Sequence, residues 1–117
     1  MVGRAARRHT PDRGDVVWLD FDPGTGHEQA GRRPALVLTP QAYNDKVGLA
    51  VFCPITSRVK GYPFEVQLPS RFKVRGVVLV DQVRSLDWRA RKAALAGRVP
   101  EAVLAEVTAK LRALLLA

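Results

Sequence analysis

Leu49-Ala50-Val51-Phe52-Cys53-Pro54-Ile55 is a near-continuous apolar run. A run of that length reads as a central strand buried on both faces. Cys53 lies inside it and is the only cysteine of the chain. A lone cysteine builds neither a disulfide framework nor a thiolate metal cage, so it reads as a small core residue.

Working outward from this strand, the chain breaks into short β segments separated by turn chemistry. Upstream, Ala35 to Thr39 follows Pro34 as a strand, and a short helix follows Pro40 through Gln41 to Asn44. Further back, Asp15 to Asp22 is a strand with bulky apolar residues at Val16, Trp18 or Leu19, and Phe21. It stops at the turn-rich Pro23-Gly24-Thr25-Gly26. Downstream, Tyr62 to Leu68 alternates, Gly76 to Val83 reads as one strand, and Ala93 to Val99 as the last. After Pro100-Glu101 the period changes. Proline followed by an acid suits a helix N-terminus, and Val103, Leu104, Val107, Leu111, Leu114 and Leu115 fall on one face at helical spacing. Lys110 and Arg112 sit near the C-terminal end, and the final leucines read as packed. The expected class is mostly β (α+β): an SH3-like small β-barrel or curled sheet with a C-terminal helix. An OB-fold has a similar strand count.

A length of 117 residues means one domain. Residues 1–13 carry Arg4, Arg7, Arg8 and Arg13 against Asp12 and read as a flexible basic arm; 14–117 form the domain. The arm lacks the apolar stretch of a secretion signal, and no run reaches the roughly 20 residues of a membrane helix. No membrane partner is expected, and the cytoplasm is the default compartment. The net charge of +8 favours anionic partners, with nucleic acid or an acidic protein ahead of mere solubility. The only histidines are His9 and His27, and no His/Cys/Asp group has ligand spacing. Neither a metal nor another cofactor is expected.

Six segments in order resemble the MazF/PemK toxin family over residues 13–117. They are Gly14 to Pro23; Gly26-His27-Glu28-Gln29-Ala30-Gly31-Arg32-Arg33-Pro34, with its E-Q-x-G-x-R-P signature; Pro54-Ile55-Thr56-Ser57; Lys60 to Val66; Gly76 to Ser85; and Trp88-Arg89-Ala90-Arg91. The resemblance implies an SH3-like fold shared with the CcdB-type toxins, and a homodimer. It also implies sequence-selective cleavage of single-stranded RNA and inhibition by an acidic MazE-like antitoxin whose tail occupies the RNA groove.

Metal-free RNA cleavage uses the 2′-hydroxyl of the substrate as nucleophile. The protein must help remove that proton, stabilise charge on phosphorus and support the leaving 5′-oxygen. The motif points to Arg33 rather than Arg32 as the catalytic arginine. A guanidinium offers a fork of donors matched to phosphate oxygens. Thr56 stands at the matching MazF-branch position, and its hydroxyl can both donate and accept. His27 and Glu28 are alternative proton acceptors; His27 titrates nearer neutrality, while Glu28 can instead orient Arg33. One position departs from the PemK branch: where that branch has an arginine two residues before the Asp-Gln pair, this chain has Leu79. Asp81 and Gln82 therefore read as structural or base-contacting, and the chain sides with MazF.

The expected RNA contacts are Arg32, Arg58, Lys60, Tyr62, Asp81, Gln82, Arg84 and Arg91, drawn from two basic stretches around the proposed centre. Phe64 and Trp88 fit core or dimer packing better than base stacking. Two other functions are compatible with such a barrel: a gyrase-poisoning CcdB-type toxin, which acts through an aromatic C-terminal end that this chain lacks, and a passive RNA binder.

Overall fold

The computed structural model describes residues 9–21 and 31–116. Seven strands form one antiparallel sheet: β1 (Asp15–Asp20), β2 (Arg32–Val37), β3 (Ala50–Thr56), β4 (Glu65–Gln67), β5 (Val77–Leu79), β6 (Arg84–Leu86) and β7 (Ala94–Arg98). Helix α1 (Gln41–Val47) joins β2 to β3, and α2 (Glu101–Leu116) ends the chain. The strand order is β4-β5-β3-β2-β1-β7, with β6 also on β3. It is a mostly β fold with a C-terminal helix; among the described residues β4 and β7 remain the two ends of the path.

The apolar run at 49–55 is the centre of this sheet. Phe52, Cys53, Pro54 and Ile55 are all buried. One edge of β3 pairs with β2; the other is shared, with Ala50 to Phe52 facing β6 and Ile55 to Thr56 facing β5. Pro54 lies between those two pairings and has no N–H to donate. The expected single strand from Gly76 to Val83 divides there: β5 gives way to a 3-10 turn at Val80–Gln82 before β6 begins.

The sheet buries both faces, as period-2 alternation allows. Val16 of β1 joins Leu36, Cys53, Ile55, Val66 and Val78 under α2, with Val103 and Val107 of the helix packed onto them. Val17, Leu19 and Phe21 point the other way, into a second cluster with Val37, Phe52, Leu86 and Trp88. Leu19, rather than Trp18, is therefore the core residue of β1, and Trp18 is 39% exposed.

Two expectations change. Residues 9–13 are tied down, unlike the arm expected over 1–13. Pro11 is buried, its carbonyl accepts from Asn44 Nδ2 at 2.7 Å, and Asp12 Oδ1 accepts from the Gln41 amide at 2.9 Å. Asn44 is itself fully buried and also bonds the Thr39 carbonyl, so α1 clamps the entry to β1. At the other end, Leu115 and Leu116 are 67% and 71% exposed, where a packed end was expected. A 16-residue helix is about 24 Å long. It packs against the three-residue β4 and the 3-10 turn, and its last turn runs past them.

Candidate active site

The β2–β3 ladder pairs Val37 with Phe52, Leu36 with Cys53 and Ala35 with Pro54. Continuing that register by two residues places Arg33 opposite Thr56. The ladder stops before reaching them, and a cleft of about 640 Å³ opens there. Its lining includes Trp18 from β1, Arg33 and Pro34 from β2, and Ile55 and Thr56 from β3. Two strands separated in sequence by a helix thus bring the two expected catalytic residues to one wall.

Thr56 is held from both sides. It pairs with Val77 of β5. The Arg58 amide donates to its Oγ1 at 3.1 Å. With that lone pair occupied, the hydroxyl proton is available to donate into the cleft. Gly76 packs directly on the Thr56 carbonyl, at a φ of +119° that favours glycine.

The electrostatics of the cleft are one-sided. Arg33, Arg58, Lys73 and Arg75 line it, and among the described residues no carboxylate does. None of these four cations forms an ion pair with another described residue. Like charges gathered around one hollow repel one another and attract a polyanion.

Thr56 and Arg58 also border a smaller hollow of about 160 Å³, lined further by Lys60, Tyr62, Glu65, Leu79, Asp81 and Gln82. Glu65 fixes the loop above it, accepting from the amides of Lys60 at 3.2 Å and Gly61 at 2.8 Å. Tyr62 is 58% exposed, with the Lys60 ammonium 5.9 Å from its ring centre. This hollow gathers five of the expected RNA contacts beside the cleft: Arg58, Lys60, Tyr62, Asp81 and Gln82. Leu79, the departure from the PemK branch, is part of its wall.

Three other expected contacts are placed elsewhere. The guanidinium of Arg32 donates to Asp20 at 3.2 Å and to the carbonyls of Trp18, Arg91 and Lys92. Arg91 Nη1 donates to the carbonyls of Asp20 and Phe21. These two arginines tie the 87–92 turn to β1. Arg84 lies over the Phe21 ring, 5.5 Å from its centre. Trp88 is core, 1% exposed, its indole N–H donating to the Asn44 carbonyl at 3.0 Å. Phe64 packs at the edge of the α2 cluster. Cys53 is core as read; burial, with a smaller contribution from the Asp81 charge, pushes its thiol up to about 12. His27 and Glu28 lie outside the described residues. Among those described, no three His, Cys, Asp or Glu side chains are placed to hold a metal ion.

Trp18, Lys73 and Arg75 are not among the site residues expected from the sequence. All three line the cleft with Arg33. The signal for Trp18 was its place between Val17 and Leu19: if those face a core, a tryptophan between them faces away.

Residues 12–115 match the family described as PemK-like, MazF-like toxin of type II toxin-antitoxin system. The chain is 49% identical over 108 residues to the Escherichia coli K12 endoribonuclease toxin MazF, covering 92% of this chain and 96% of that protein. It is 38% identical to the Escherichia coli endoribonuclease PemK, covering 93% and 85%. Among solved structures, a MazE-MazF crystal structure (Form-II) from Deinococcus radiodurans superposes with a TM-score of 0.86 at 60% identity, covering 92% of this chain and 96% of that one. The seven-stranded sheet with its terminal helix, the family match over residues 12–115 and identity along almost the full length agree: this chain belongs to the MazF/PemK family of toxins.

Proposed function

We propose that this chain is a sequence-specific endoribonuclease toxin that cuts single-stranded RNA without a metal ion. The observation that carries the reading is the register that sets Arg33 across from Thr56 in a cleft lined by four cations. The 2′-hydroxyl oxygen attacks the adjacent phosphorus, the bond from phosphorus to the 5′-oxygen breaks, the departing 5′-oxygen takes a proton from solvent water, and the ends are a 2′,3′-cyclic phosphate and a 5′-hydroxyl. The guanidinium of Arg33 stabilises the charge that builds on the phosphoryl oxygens. Thr56, whose Oγ1 already accepts from the Arg58 amide, donates a hydrogen bond to one of those oxygens. His27 or Glu28, two and one residues before the Gln29 of the signature motif, takes the 2′-hydroxyl proton. The smaller hollow with Tyr62, Asp81 and Gln82 reads the bases: an exposed ring offers a stacking platform, and the amide and carboxylate offer hydrogen bonds.

The chain acts as a homodimer in the cytoplasm, where cleavage of mRNA inhibits translation and growth. It is neutralised by an acidic MazE-like antitoxin. The cation-lined cleft suits an acidic segment as well as it suits RNA, and MazF relatives have been crystallised with MazE. Among the described residues no helix is long and apolar enough to cross a membrane.

The test is a gel assay of purified, antitoxin-free protein in EDTA on a long, weakly structured RNA, with an all-DNA copy alongside. Discrete RNA fragments with intact DNA are expected. Loss of cleavage in chelator, restored by a divalent ion, would overturn the metal-free route; no cleavage by folded protein would return the passive-binder reading.

A further inference from the structure

The loop between β4 and β5 carries Arg71, Phe72, Lys73, Val74, Arg75 and Gly76. Its residues alternate as those of a strand do. Val74 is 6% exposed and belongs to the α2 core, and Phe72 packs against the same core. The tip of the Phe72 ring lies against Gly97 of β7, where a Cβ would come within 3.2 Å of its Cζ. Gly76 sits against the Thr56 carbonyl. The loop is therefore pinned at three alternate residues, and the cations between the pins are presented from a fixed backbone. Lys73 and Arg75 line the catalytic cleft. Arg71 does not; it lines a separate hollow with Ser70, Phe72 and Arg98.

A charge count separates the two pairs of cations in the cleft. Arg33 and Arg58 flank Thr56 in register or sequence, and together their two charges match the two negative charges of one phosphorane transition state. Lys73 and Arg75 are surplus to that need, without ion-pair partners among the described residues. We propose that the cleft holds two consecutive phosphates, and that Lys73 and Arg75 grip the one next to the bond that breaks. The proposal rests on the RNA-cleaving function and assigns these two residues to substrate grip rather than to chemistry. A contact made equally in ground and transition states changes KM and leaves kcat alone.

Two measurements test it. The first uses a 2′-O-methylated mixed-sequence RNA strand, which cannot be cut, so grip is read whether or not the chain is a nuclease. Lys73→Gln and Arg75→Gln are each expected to weaken binding about fivefold near physiological salt. Each should also lower the slope of log affinity against log salt by about 0.7, the single-strand value per neutralised phosphate. Arg71→Gln, the same charge change on the same loop but outside the cleft, is the control and should move the slope by less than half as much. An equal effect of Arg71→Gln would make net charge, not placement, the cause and overturn the proposal.

The second uses a cleaved oligonucleotide carrying a neutral methylphosphonate at the linkage on either side of the cut. At one of those positions it should raise KM for the wild type but add nothing in the Lys73→Gln/Arg75→Gln double variant, with kcat within about twofold throughout. A fall in kcat at unchanged KM, or the same methylphosphonate penalty with and without the two cations, would overturn it. Failure of the wild type to cut any RNA would refute the nuclease function, with the binding slopes still deciding the grip.

Discussion

A Cβ placed on Gly76 would fall 2.0 Å from the carbonyl oxygen of Thr56 and 2.9 Å from the Cα of Ser57. Both neighbours are backbone, so nothing flexible can yield, and the φ of +119° adds strain for any L side chain. Thr56 is thus set in place by the absence of a side chain on the strand beside it. Gly76→Ala should cost about 2–4 kcal/mol and lower the melting temperature by roughly 10 °C or more. At a temperature where the variant is still folded, its cleavage should fall more than its stability does, because the displaced residue is Thr56. Thermal denaturation and cleavage on the same preparation decide it; a variant with wild-type melting would mean the contact is looser than this.

Arg33→Ala should reduce kcat about 100- to 1,000-fold, the usual cost of losing one placed donor to a developing anion. Arg33→Lys keeps the charge but loses the fork, so it should recover only a small part of that loss. Full activity in the lysine variant would show that charge alone is required.

Thr56→Ser and Thr56→Val separate the hydroxyl from the strand. Serine keeps an oxygen to accept the Arg58 amide and a proton to donate, and should retain activity within about tenfold. Valine keeps the β-branched shape and removes both, and should fall about 100-fold with little change in melting. Equal activities would remove Thr56 from the chemistry.

Arg32→Ala should behave as a structural change. Its guanidinium holds Asp20 and three carbonyls of β1 and the 87–92 turn, so about 1 kcal/mol of stability should go. The value of kcat should stay within a few-fold of wild type. A loss like that of Arg33→Ala would place Arg32 on the RNA.

Cys53 gives a pH signature. Its ordinary value is 9.0 and its folded value about 12, so the folded chain keeps a proton that the unfolded chain releases in that window. The folded state then binds more protons, and stability falls as pH rises from about 9 to 12. Urea unfolding at a series of alkaline pH values should show a flatter decline for Cys53→Ala than for wild type. At neutral pH the folded thiol should resist alkylation, reacting only as fast as the protein opens.

The period of the side chains made much of this fold readable. The run at 49–55 becomes the central strand, Pro40 opens α1, and Pro100-Glu101 opens α2. What escaped depends on pairing between distant segments. Nothing local in Gly76 to Val83 reports that Pro54 leaves the facing edge of β3 without a donor, yet that is where the expected strand divides. The same holds in the cleft. Arg33 and Thr56 were legible from motifs, whereas Trp18, Lys73 and Arg75 reach them only because β1 lies on β2 and the β4–β5 loop folds over the end of β3. Arg32 and Arg33 are adjacent and chemically identical, and strand alternation sends one to the backbone of its neighbours and the other to the cleft.

Thr56 and Arg58 form a wall common to both hollows, with the cleft on one side and the Tyr62, Asp81 and Gln82 pocket on the other. Arg33 and Thr56, assigned to stabilising the breaking bond, lie on paired strands, whereas Lys60 and Tyr62 lie on a loop and Asp81 and Gln82 on a single 3-10 turn. Loops and single turns accept substitution with little cost to the core. A toxin built this way can drift from one target sequence to another across lineages, one exposed side chain at a time, while the blade it inherited stays intact.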